Sequence, residues 1–200
     1  MTGVQTCALP IWVVLATNNV YEGTSAAAGE CDLDVVGIGC TTNAAAGDAP
    51  GAVVTSEASG GLTLAARNAS LDGEGEYLLA GHNAPANDWV YSVRAETGAS
   101  RRWRREWYLD QTSSDGVDVR LTFDFAAAGV EWLPEEDEPS YRLLWRAGAE
   151  GTYSDTGLTP VVEGGALVFD VADALLSDGL YTVGAALKPQ IGRASCRERV

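Results

Sequence analysis

Between 117 and 125 the chain alternates with a period of two. Val117, Val119, Leu121, Phe123 and Phe125 fall on one side and Asp118, Arg120, Thr122 and Asp124 on the other. That period lets one face of a strand pack while the other meets water. Shorter β-prone runs recur at 34–38, 52–55, 62–64, 77–80, 89–93, 141–145, 166–171 and 180–183. Glycine-rich turn clusters separate many of them, at 59–61, 72–75, 114–116, 163–165 and 177–179. Many short strands punctuated in this way predict an all-β antiparallel sandwich of about 9–11 strands. Only 171–176 reads as a helical turn, and the alanine-rich stretches at 26–28 and 44–46 read as loops.

The segment 102–109 carries the same alternation and reads as one strand, paired with 117–125 as a hairpin. Residue pairs summing to 226 would set Trp103 opposite Phe123, Trp107 opposite Val119 and Leu109 opposite Val117. On the other side Arg102 would meet Asp124 and Glu106 would meet Arg120, opposite charges across the ladder. Asp110 to Gly116 is then the connecting loop. In this register Trp103, Trp107, Leu109, Val119, Leu121 and Phe123 are core residues. Arg105 shares the apolar side, so its guanidinium must reach water or a carboxylate.

Composition narrows the function classes. The 200 residues hold 28 acidic and 13 basic side chains, a formal net charge of -15, which speaks against a nucleic-acid partner. No apolar run approaches the ~18 residues of a membrane span. His82 is the single histidine, and Cys31 and Cys40 do not complete a zinc set, so neither a metal nor a cofactor is expected. No nucleophile elbow, phosphate loop, calcium loop or dinucleotide fingerprint is present. The acidic run 134–139 lacks the spacing of a calcium loop and reads as solvated.

Four residues remain as binding candidates. His82 and Asn83 close a predicted strand, where they would fix the following loop by hydrogen bonding or serve as a proton carrier or a sugar hydrogen-bonder. Arg104 and Tyr108 point away from the predicted core. A disulfide between Cys31 and Cys40 is one reading of that pair in an exported chain. A continuous strand between them is the other, since nine extended steps would part the Cα atoms by about 30 Å against a limit of about 7 Å.

The two ends stand apart from this pattern. Residues 1–11 and 191–200 resemble conceptual translations of the two arms of a sequencing adapter; Ala8-Leu9-Pro10-Ile11 and Ile191-Gly192-Arg193-Ala194 back-translate to reverse-complementary strings. The expected organisation is therefore a partial N-terminal segment at 12–32, a β-sandwich at 33–187 and a linker remnant from 188 onward. The basic tail, with Arg193, Arg197 and Arg199, then contributes nothing to binding.

Four blocks carry a resemblance. They are Val36-Gly37-Ile38-Gly39, Tyr77-Leu78-Leu79-Ala80-Gly81-His82-Asn83, the arginine- and tryptophan-rich 101–112, and Asp178-Gly179-Leu180-Tyr181-Thr182-Val183. In this order they resemble an uncharacterised bacterial β-sandwich family, a domain of unknown function found in large secreted or surface proteins, often after concanavalin-like or laminin-G-like modules. Cys40 and Asp110-Gln111 depart from its pattern. The resemblance implies an extracellular or cell-surface, non-catalytic accessory, spacer or adhesion module whose partners are neighbouring domains, surface glycan or protein. The alternatives are a carbohydrate-binding module, which would need exposed aromatics among Trp89, Tyr91, Tyr108 and Trp132, and a hydrolase fragment, which would need two carboxylates facing across a cleft.

Overall fold

A computed structural model describes residues 21–41, 51–53, 55–56, 58–68, 71, 76–83, 89–90, 97–112, 116–130 and 140–186. The chain is all-β, built as two antiparallel sheets. In chain order the strands are β1 (Leu33–Thr41), β2 (Gly51–Val53), β3 (Leu62–Ala66), β4 (Tyr77–His82), β5 (Trp89–Val90), β6 (Arg101–Trp103) and β7 (Trp107–Thr112). They continue as β8 (Val119–Asp124), β9 (Ser140–Arg146), β10 (Ser154–Asp155), β11 (Val161–Glu163), β12 (Ala166–Val171) and β13 (Gly179–Ala186). Every predicted run overlaps one of these strands. The two-residue β10 and the edge strand β11 were not foreseen, being too short to show a period. Among the described residues the helical pieces are all 3-10 turns, among them Glu22–Thr24, Ala26–Ala28 and Asp173–Leu175. The last lies in the predicted turn at 171–176; the second replaces the loop expected at 26–28. No helix among the described residues is long and apolar enough to cross a membrane.

The larger sheet runs β10-β9-β13-β7-β4-β1-β2, with β6 also on β13 and β5 on β6; the smaller runs β11-β12-β8-β3. This arrangement corrects the hairpin expected between 102–109 and 117–125. β7 pairs β4 and β13, whereas β8 pairs β12 and β3. The two segments therefore face each other across the sandwich and share no ladder. The charge argument fails with it: Arg120 bonds Asp170, 2.8 Å away, and Glu106 bonds Arg102 and Arg146. Nor does 110–116 form a loop throughout, because β7 continues to Thr112.

The core residues named from alternation are all buried: Trp103, Trp107, Leu109, Val119, Leu121 and Phe123. Their rings form a connected aromatic spine. Trp103 stacks on Phe125 at 4.4 Å and meets Trp107 edge-on at 5.1 Å; Trp107 meets Phe123 at 5.3 Å, and Phe123 meets Phe169 at 5.8 Å. Such pairs add to the transfer energy of the rings themselves.

The larger sheet is covered on its second face as well. Tyr21, Ala28 and Cys31 pack on Leu79, Tyr108 and Leu180, with Val35 and Tyr77 at the margin. Residues 21–31, set apart from the domain in the sequence reading, thus form a strap over the outer face. The Tyr21 hydroxyl donates to the Cys31 carbonyl at 2.8 Å and lies 3.1 Å from the carbonyl of Tyr108. The Ala149 amide donates to Ala27, joining the strap to the turn after β9.

Candidate functional site

The chemistry-bearing side chains gather around a break in one long strand. β6 pairs β13 with Arg102 opposite Gly184, and β7 resumes with Trp107 opposite Tyr181. The register shifts by two, so Arg104, Arg105 and Glu106 leave the ladder instead of continuing the single strand expected over 102–109. The Thr182 hydroxyl sits 3.0 and 2.9 Å from the carbonyls of Trp103 and Arg105 and ties the break down. Bulges of this kind re-aim side chains that a regular ladder would hold perpendicular.

Glu106 is 4 % exposed and is the centre of the first cluster. Its Oε1 accepts from Arg102 at 3.0 Å and from the Tyr153 hydroxyl; its Oε2 accepts from Arg146 at 2.8 Å and Asn83 at 3.0 Å. Tyr153 lies between the two guanidinium groups, 4.9 Å from that of Arg102 and 4.8 Å from that of Arg146. Burial and the nearby Glu106 charge raise the phenol far above its ordinary range, so it remains a donor. Asn83 closes the arrangement by accepting from the Glu106 amide at 3.2 Å. Four donors on two oxygens leave this carboxylate fully engaged.

His82 and Arg105 form the second cluster, on the inner side of the same break. The His82 ring is buried and stands edge-on to Trp107 at 6.4 Å, with Nε2 3.0 Å from Asp34 Oδ2. The carboxylate is an acceptor, which assigns the ring proton to Nε2. Desolvation holds the imidazole below its usual pKa, against the raising effect of Asp34. Arg105 donates to the Gly60 carbonyl at 2.6 Å, so a backbone acceptor serves where water or a carboxylate was expected. Desolvation lowers its pKa too. Gly60 has φ +52, and any β-carbon there would collide with the His82 ring. The Trp107 indole donates to the neighbouring Ser59 carbonyl at 2.7 Å.

The four binding candidates thus fall in different places. His82 and Asn83 are hydrogen-bonded within the fold, to Asp34 and Glu106, while the following loop that they were expected to fix lies outside the described residues. Arg104 is exposed. Tyr108 does point away from the core, yet it is buried because the strap lies over it, which corrects its placement on a free surface. Cys31 carries a free, buried thiol that desolvation pushes up to about 12, so the Cys31–Cys40 bridge is not formed and the continuous strand β1 stands in its place.

The aromatics named for a glycan platform do not make one among the described residues. Trp89 and Tyr108 are buried, and Tyr91 and Trp132 lie outside the described residues. So do the acidic run 134–139 and both chain ends, 1–20 and 187–200. Of the buried carboxylates, Glu106 and Asp110 stand four residues apart along one extended stretch, about 13 Å at 3.3 Å per residue, beyond the about 5–9.5 Å of a glycosidase pair. Asp110 is committed elsewhere: it accepts from the Glu22 amide at 2.7 Å beneath the strap, and burial pushes its pKa up to about 6.

Sequence reasoning missed the Glu106 cluster because its members come from 83, 102, 106, 146 and 153, which no local motif links. The strap left a trace that could have been read: Leu78-Leu79-Ala80 and Leu180-Tyr181 are apolar on both sides, a pattern of strands covered on both faces. No family model, curated protein or solved structure matches this chain.

Proposed function

We propose that this chain is a non-catalytic β-sandwich module that serves as an accessory or spacer unit within a multidomain exported protein, holding neighbouring domains at a fixed separation. The carrying observation is Glu106. A catalytic or ligand-binding carboxylate needs an open coordination position, and this one spends both oxygens on Asn83, Arg102, Arg146 and Tyr153. The cluster acts as a strut joining β4, β6 and β9 to the turn that carries Tyr153. His82 is used in the same way, pinned between Asp34 and Trp107. The resemblance of the four sequence blocks to secreted and surface proteins supports the extracellular setting. The reading requires no cofactor.

The purified chain should bind nothing on a glycan array and turn over none of a panel of chromogenic glycosides and esters. Retention of a glycan, lost on replacing Arg104, would transfer the chain to the carbohydrate-binding modules. Turnover abolished by Glu106→Gln would make it a hydrolase.

A further inference from the structure

We infer that the strap 21–31 is a proton-sensitive cover on the outer face of the larger sheet, latched by Asp110 while that carboxyl holds its proton and loosened once it ionises. This goes beyond the spacer reading and uses none of it. The strap is folded on itself: the Ser25 hydroxyl accepts from the Ala28 amide, the Glu30 amide donates to the Ser25 carbonyl, and the Cys31 amide donates to Gly23. It adds no strand to the sheet beneath it. Isolated bonds hold it to the rest of the fold. Among them are the Tyr21 hydroxyl to the Tyr108 carbonyl, the Ala149 amide to Ala27, and the Glu22 amide to Asp110 Oδ2 at 2.7 Å. A self-bonded segment tied down in this way can lift as a unit while the ladders stay closed.

One of those bonds ends on a buried carboxyl with acidic neighbours. Asp110 projects from β7 beneath the strap, and its ladder partner on β4, Leu79, brings no charge. The strap supplies Glu22. The turn into β13 supplies Asp178, whose Oδ1 accepts from the adjacent Gln111 amide at 2.9 Å. The phenols of Tyr21 and Tyr108 and the Cys31 thiol also face this space, and burial raises all three, so they stay uncharged in acid and neutral solution. Arg146, opposite Leu180 on β9, is engaged by Glu106. Burial pushes the Asp110 pKa up to about 6; the Glu22 amide opposes this, and the Asp178 and Glu22 charges add to it.

Oδ2 can accept from the Glu22 amide in either protonation state. What ionisation adds is a buried charge that faces two others of the same sign. With the strap lifted, Asp110 meets water and its pKa returns toward the ordinary 3.8. The closed strap therefore holds the proton more tightly than the open one. Closure is fully supported below about 4 and loses that support as pH rises through about 6. Opening bares Leu79, Tyr108 and Leu180 on the sheet, together with the Cys31 thiol.

The experiment follows modification of Cys31 in the full chain by a dipyridyl disulfide, read by mass spectrometry of the Cys31 peptide between pH 4 and 7. Dividing the parent rate by that of Asp110→Asn at each pH cancels the pH dependence of the reagent, of the thiol and of His82. The quotient should rise at least about tenfold across this range. Asp178→Asn, which removes one of the neighbouring charges, should move the rise to lower pH. Urea well below the unfolding midpoint should leave the rates close to their values in water, because lifting the strap exposes little surface. A quotient that stays flat, or labelling that climbs with urea in step with global unfolding, would overturn the cover.

Discussion

Trp107 and Phe123 meet edge to face with ring centres 5.3 Å apart, and they belong to opposite sheets. The contact fastens the sandwich at its middle, with both residues fully buried. Trp107→Ala should cost about 3–5 kcal/mol in denaturant unfolding, because it empties a large site. A double-mutant cycle with Phe123→Leu should return a coupling of about 0.5–1.5 kcal/mol. Independent effects would mean that the rings do not pack as described.

Two ion-pair groups should behave differently on substitution. Glu106→Gln leaves Arg102 and Arg146, 18 % and 14 % exposed, without their shared anion, and a loss of about 3 kcal/mol is expected. Asp170 lies half exposed between Arg67 and Arg120, and Asp170→Asn should cost under about 1 kcal/mol. Urea midpoints for the two variants decide the matter. A mild effect at Glu106 would remove its role as a strut.

Asp110 gives stability a pH dependence of definite sign. Its folded pKa, raised to about 6 by burial and by the nearby Asp178 and Glu22, exceeds the ordinary value of 3.8. Between those values the folded chain holds more protons than the unfolded one, so the contribution is full below about 4 and is lost as pH rises through about 6. His82, with a lowered pKa, acts in the opposite sense at its own titration. Comparing Asp110→Asn with the parent chain isolates the carboxyl: the difference in unfolding free energy should vary from pH 4 to 7. A constant difference would place Asp110 in water.

Cys31 reports on the strap. Its thiol is buried and its pKa is raised, so a thiol reagent should modify it only through opening of 21–31. Tyr21→Phe removes the hydroxyl that bonds the Cys31 carbonyl and approaches that of Tyr108, and should speed labelling about tenfold, corresponding to about 1.4 kcal/mol. Mass spectrometry of the Cys31 peptide gives the rate. Equal rates in the two proteins would show that the strap does not depend on this hydroxyl.

Most of the fold was legible because a period of two states directly which side chains face inward; Val119, Leu121 and Phe123 needed nothing more. Alternation does not state which strand lies beside which. Trp103 and Phe123 satisfied an inward pattern equally well as ladder partners or on opposed faces, and the opposite charges of Glu106 and Arg120 tipped the reading toward the wrong one. Each has a better partner far along the chain, Arg146 and Asp170. Charge complementarity over short separations is cheap to satisfy by chance. Tyr108 was legible in direction and not in environment, since its cover comes from residues 21–31, which carry no period.

In β1 the residue Asp34 has φ +48, and the pairing with β4 slips by one between Leu33 and Val36. That extra residue sets the phase of everything before it. Deleting one residue at 34 or 35 would turn the preceding backbone over, aiming Cys31 and Tyr21 at the opposite side of the sheet. Position 34 should accept asparagine more readily than glycine: both tolerate this backbone, but asparagine keeps an oxygen for His82 Nε2. A change of side chain there costs one bond; a change of length reorients the whole strap.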